Sequence, residues 1–168
     1  MTRSPFDALA TEYDAARPSY PDGLYDALDG LYDALDELAG PLDGALVAEV
    51  GAGTGISTRG LLSRGADVVA YELAPNMLER LRANGSPGPG ALLGAAVADA
   101  HALPLRDGVA DVVTYAQAFH WVRAPEAAAE AARVLRLDGA LAVWWNESAA
   151  QDEAWWRRQQ ELLEAARC

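Results

Sequence analysis

The run Glu49-Val-Gly-Ala-Gly-Thr-Gly places glycines at 51, 53 and 55 just beyond a carboxylate. Alternating glycines let a backbone turn tightly and approach a ligand closely. A turn of this kind can cradle phosphates, but a Walker loop also needs a lysine for the β- and γ-phosphates, and all thirteen basic residues here are arginine. That composition argues against nucleotide hydrolysis and excludes Schiff-base chemistry. A dinucleotide fingerprint would put a small residue at 56, where a helix N-terminus meets the pyrophosphate, and Ile56 stands there instead. Glu49 at the mouth of the turn would also set a negative charge against that pyrophosphate. The pattern suits a locally cationic ligand, an ammonium or a sulfonium, with Glu49 accepting from an ammonium directly or through water.

Further acids recur at useful spacings. Glu72 lies about twenty residues past the glycines, where a carboxylate can take both hydroxyls of a ribose. Asp99 can accept from an adenine amino group while the Ala100 N–H serves a ring nitrogen, and it equally suits a turn or cap aspartate. His120 and Trp121 follow a strand-like run at the mouth of the same site. A histidine there can deprotonate a hydroxyl or an amine, and a tryptophan can flank a sulfonium by a cation–π contact. The same pair also suits packing an N-terminal helix onto the sheet. His101 reads as a surface or turn residue.

Positioning these groups requires a sheet. Short apolar runs at 45–50, 67–72, 92–98, 111–117 and 140–145 read as strands, most of them apolar on both faces. Helices are predicted at 56–64, 75–84 and 124–136, with Pro75 and Pro125 near their starts and Gly65 and Gly139 beyond their ends. Strand and helix alternating at these lengths predict an α/β fold, a doubly wound and mostly parallel sheet. The run 84–90 is a surface loop. Before the sheet, Ser4 and Pro5 open a first helix that ends before Pro18, and a second follows Pro21. Within the second, GLYDALD occurs in tandem at 23–29 and 30–36, and Leu24, Leu28, Leu31, Leu35 and Leu38 are expected along one apolar stripe. The chain is read as one domain over 1–168: an N-terminal helical cover (1–40), an α/β core (41–146) and a C-terminal helix (147–168).

A net charge of −12 repels nucleic-acid phosphates and anionic membrane faces, which favours a small-molecule ligand. Cys168 is the single cysteine, so no internal disulfide or Cys-based metal cluster forms. Nowhere do eighteen apolar residues run together and no signal-peptide core is seen at the start, so a cytoplasmic protein without metal is expected.

Taken together, these motifs resemble those of class I S-adenosylmethionine-dependent methyltransferases. Glu49 to Gly55 is similar to the family's E/D-x-G-x-G-x-G motif, and Glu72 in YELAPNML to its acid at the end of strand two. DAHALPLRDGVADVV (99–113) resembles the third-strand aspartate, Leu-Pro turn and fourth strand, and RVLRLDGALAVWWN (133–146) the helix, turn and fifth strand. YDAARPSYP and AQAFHWV resemble a bacterial small-molecule branch similar to methyltransferase type 11 domain proteins and trans-aconitate methyltransferases. The resemblance implies S-adenosyl-L-methionine as cofactor, held by Glu49, Gly51, Ala52, Gly53, Thr54 and Gly55 around its methionine part, by Glu72 and Leu73 at its ribose, and by Asp99 and Ala100 at its adenine. Gln117 then falls near the methionine moiety. His120 is the candidate base, and Tyr13, Arg17, Tyr20 and Trp121 are candidates for the acceptor side. Arg17 resembles an arginine that meets the cofactor carboxylate, and it also suits capping of the first helix. Two departures stand out. Leu137-Asp138-Gly139 replaces the family's Pro-Gly-Gly turn, and the two further strands that usually follow strand five are not expected within these 168 residues. An open strand-five edge is therefore expected to promote self-association. Alongside methyl transfer stands the reading of a cofactor-binding or partner-binding module without turnover.

Overall fold

The computed structural model describes residues 22–85 and 88–145. The expected first helix and C-terminal helix lie outside the described residues. The first described element, helix α1 (Asp22–Ala39), carries the tandem heptad. Then come β1 (Leu46–Val50), α2 (Ile56–Ser63), β2 (Asp67–Glu72), α3 (Pro75–Ala83) and β3 (Leu92–Val97). The remainder is β4 (Ala110–Ala116), a single 3-10 turn at Phe119–Trp121, α4 (Ala124–Val134) and β5 (Leu135–Trp144).

All five strands run parallel in the order β3-β2-β1-β4-β5. Strand order reverses between β1 and β4, the crevice where open α/β sheets bind ligands. Successive side chains of a strand face opposite ways, so each face of the sheet takes its own apolar partners. Leu61 and Leu62 of α2 pack with Tyr32 and Leu35 of α1 onto Val47, Val68 and Val112. Leu78 and Leu81 of α3 extend that layer over Ala70. On the opposite face, Ala127, Ala131 and Val134 of α4 meet Ala48, Val50, Val113 and Tyr115. Burial of both faces is why these strands read as continuous apolar runs.

Two sequence expectations are corrected. The stripe on α1 does not run through Leu38, which is 83% exposed; Tyr32 and Leu35 are the buried residues, with Ala39 packed beside them. Tyr32 wins its place because Gly60 of α2 leaves room for the phenol ring, whose hydroxyl donates to the Ser57 carbonyl at 3.2 Å. Leu24 and Leu28 lie outside the described side chains. The second correction concerns 135–139, read as the end of a helix and a turn. Strand β5 opens at Leu135 opposite Ala110, bulges, and rejoins with Ala140 opposite Val112. The bulge is set by Asp138 in the left-handed region (φ 65°) and by an ion pair between Arg136 and Asp111.

Strand β5 pairs only β4 among the described residues, and Leu137, Leu141 and Trp145 are exposed along this end of the chain. No described helix is long and apolar enough to cross a membrane, and the described residues hold no group of three or more potential metal ligands.

Candidate cofactor site

The loop after β1 is built by its glycines. Gly51, Gly53 and Gly55 all take positive φ (74°, 57° and 85°), a region that side chains with a Cβ avoid. A Cβ on Gly51 would collide with that of Ala118 beyond β4, and one on Gly55 would come 2.8 Å from Leu81 of α3. Gly53 differs, since a Cβ there would meet nothing within 4 Å. Gly51 and Gly55 are thus glycines for packing, and Gly53 is the one that faces open space.

Bonds to neighbouring elements hold the loop. The Gly51 and Ala52 N–H groups donate to the Tyr71 carbonyl at 2.8 and 3.1 Å. Arg59 and Asn84 both donate to the Thr54 carbonyl, at 3.2 and 3.1 Å. Glu72, at the end of β2, accepts from the Gly53 N–H at 3.1 Å and, through its other oxygen, from the Ala74 N–H at 3.0 Å. Each carboxylate oxygen retains acceptor capacity after one such bond. Leu73 beside it is exposed.

Glu49 lies one layer lower than the loop mouth expected of it. As the fourth residue of β1 it points to the same face as Val47, under α2, and it is 0% exposed. Thr58 of α2 donates its hydroxyl to Glu49 Oε2 at 2.5 Å, whereas Oε1 has no hydrogen-bond partner. Burial pushes the Glu49 carboxyl up from 4.5 to about 7, opposed by the Thr58 and Ser57 hydroxyls and by Arg59, and reinforced by Glu72. Thr114 of β4 stands opposite Glu49 in register, and its buried hydroxyl also has no partner. The two orphaned polar groups therefore share one face of adjacent strands, where unsatisfied burial is costly.

Beyond β3 and β4 the remaining candidates follow. The Ala98 N–H donates to the Glu72 carbonyl at 3.3 Å, which brings the Asp99-Ala100 segment alongside the end of β2. Asp99 is exposed, and the backbone N–H and ring of His101 hold its carboxyl below the usual range. Gln117 takes φ 58° while its N–H donates to the Trp144 carbonyl at 2.8 Å. A non-glycine residue held in this region marks a strained junction. His120 and Trp121 sit exposed in the following 3-10 turn with ring centroids 4.9 Å apart. Tyr115 is buried beneath, edge-on to Phe119, and burial pushes its phenol up to about 12.

The fold thus gathers Gly51 to Gly55, Glu72, Asp99, Ala100 and Gln117 at the C-terminal ends of four neighbouring strands. Tyr13, Arg17 and Tyr20 lie outside the described residues. Sequence reasoning missed Thr58, which fixes Glu49, and Ala118, which demands a glycine at 51. Only a hydroxyl in the first turn of the next helix signalled the former, and nothing signalled the latter.

Residues 48–143 match the methyltransferase domain family. The chain belongs to that family. An uncharacterized methyltransferase of Mycobacterium tuberculosis is 40% identical over 160 residues, which span 94% of this chain and 58% of the relative. A malonyl-[acyl-carrier protein] O-methyltransferase of Geobacter sulfurreducens is 42% identical over 101 residues, 58% of this chain and 37% of the relative. The chain therefore spans less than two thirds of the curated relatives it matches. Among solved structures, a protein of Methanococcus maripaludis provisionally assigned as an S-adenosyl-L-methionine-dependent methyltransferase superposes with a TM-score of 0.67. It is 18% identical, with 87% of this chain and 67% of that one covered, a likeness of fold. The family bears out the resemblance drawn from the four sequence motifs.

Proposed function

We propose that this methyltransferase domain binds S-adenosyl-L-methionine at the strand reversal and transfers its methyl group to a small-molecule acceptor. The observation that carries the proposal is the joined pair of Gly53 and Glu72: a glycine facing open space whose N–H is bonded to a half-buried carboxylate. Glu72 has acceptor capacity left for ribose hydroxyls, and Asp99 supplies a second acceptor for the adenine amino group. Glu49, buried one layer below the loop, would favour the cofactor ammonium through its field rather than by direct contact. These residues fit the cofactor in charge and in hydrogen-bonding capacity.

When bound, the cofactor supplies a methyl group activated on a sulfonium sulfur. What remains for the protein is alignment and exclusion of water. Gly53 and Glu72 would hold the cofactor at the loop mouth, with Asp99 on its adenine side, so that an acceptor could approach the activated methyl in line. We assign His120 the acceptor's proton and Trp121 the flank of the sulfonium charge, a reading supported by their exposure in the turn that follows β4. The −12 charge supports a small acceptor over nucleic acid. A second reading, a cofactor-binding or partner-binding module without turnover, draws support from the β5 edge with its exposed Leu137 and Trp145. That edge is also the proposed route to a homo-oligomer.

Titration calorimetry with S-adenosyl-L-methionine tests the binding step. Glu72→Ala is expected to abolish binding, with Glu72→Gln as a control that keeps an acceptor for the Gly53 N–H. Wild-type affinity in Glu72→Ala would remove the ribose assignment. Turnover is then read with labelled methyl against small carboxylic acids and phenols, where binding without turnover favours the second reading.

A further inference from the structure

His101, expected as a surface or turn residue, joins two loops of the site. Its backbone N–H donates to Asp99 Oδ1 at 2.9 Å, and its ring Nδ1 lies 2.5 Å from the same oxygen. Across the ring, the Arg123 backbone N–H donates to Nε2 at 3.1 Å. A nitrogen that accepts carries no proton, so the proton of the neutral ring sits on Nδ1 and is donated to Asp99. One imidazole thereby ties the loop after β3 to the residue that caps α4, next to the turn carrying His120 and Trp121.

The arrangement matters because Asp99 is otherwise poorly held. Its side chain is 62% exposed, against 17% for His101. A free carboxylate on a loop exchanges between rotamers and aims at nothing in particular. Two bonds converging on Oδ1 remove that freedom and leave Oδ2 to accept.

We propose that His101 is a positioning residue for adenine recognition: it holds Asp99 Oδ1 so that the other carboxylate oxygen meets the exocyclic amino group of an adenosyl cofactor. This rests on the assignment of Asp99 made under Proposed function. A cofactor whose adenine is replaced by hypoxanthine presents an acceptor where adenine has that amino group, so Asp99 would repel it.

The test compares the dissociation constants of S-adenosyl-L-methionine and its hypoxanthine analogue by calorimetry. Wild type should prefer the adenine form by about tenfold or more, the worth of a hydrogen bond to a charged group. His101→Ala should reduce that preference to about threefold or less, while His101→Asn, which can still donate to Asp99, should restore most of it. A second variant leaves the ring in place. Arg123 has φ −75°, which proline adopts, so Arg123→Pro removes the N–H on the Nε2 side together with the guanidinium that pairs with Glu126; Arg123→Ala, which loses only the guanidinium, is its control, and only the proline variant should weaken the preference partially. Thermal unfolding checks that each variant is folded. If Asp99→Asn keeps the full preference, the adenine assignment of Asp99 falls and the proposal with it. If Asp99→Asn loses it while His101→Ala and Arg123→Pro both keep it, the role of His101 alone is overturned.

Discussion

Replacing Glu49 by glutamine should make the protein more stable at neutral and alkaline pH. The carboxyl is fully buried, with Thr58 on one oxygen and nothing on the other, and burial raises it from 4.5 to about 7. The folded state therefore holds this proton more tightly than the unfolded chain. Stability from this site is complete below about pH 4.5 and is lost as pH rises through about 7. At about 1.4 kcal/mol per tenfold change in acidity, the full loss amounts to about 3 kcal/mol. Glutamine has no charge to desolvate, keeps an oxygen for the Thr58 hydroxyl, and brings an amide N–H to the face it shares with the orphaned Thr114 hydroxyl. Urea unfolding of both proteins, with equal slopes confirming equal exposure, should show Glu49→Gln gaining about 2–3 kcal/mol on wild type between about pH 5 and about pH 8. A cationic ligand should reverse the preference. S-Adenosyl-L-methionine binding near pH 6.5 should release protons from wild type and none from the variant, read by calorimetry in buffers of different ionisation enthalpy. Parallel pH–stability curves, or a variant less stable than wild type at alkaline pH, would refute the assignment of a strained, buried acid.

Gly51→Ala places a Cβ against Ala118 at a backbone angle that alanine avoids, and should cost about 2–4 kcal/mol in unfolding experiments. Adding Ala118→Gly should recover only the part due to collision, leaving the backbone part of about 1 kcal/mol or more. Gly60→Ala should destabilise by driving Tyr32 out of its slot, although alanine is the better helix former. Combining it with Tyr32→Leu should be less than additive in a double-mutant cycle, and strict additivity would show that the ring and Gly60 do not interact.

The sequence by itself specified the order of the elements and the residue types at the loop ends. Alternation of apolar runs with proline-started helices specified the strand and helix order to within a residue or two at most boundaries, because burial on both faces and helix starts are local signals. The glycines at 51, 53 and 55, the acids at 49, 72 and 99, and the absence of lysine narrowed the ligand class in the same way. Tertiary structure decided what each of these residues touches. Glu49 reads as an acid at a loop mouth until the register of β1 turns it under α2. Gly51 and Gly53 are indistinguishable in sequence, yet Ala118, far along the chain, confronts one and nothing confronts the other. Leu38 carries the heptad faithfully and is still exposed, because Gly60 admits Tyr32 instead. Helix and strand follow from neighbours within a few residues, whereas burial, orphaned bonds and the His101 bridge depend on partners brought together only by the folded sheet.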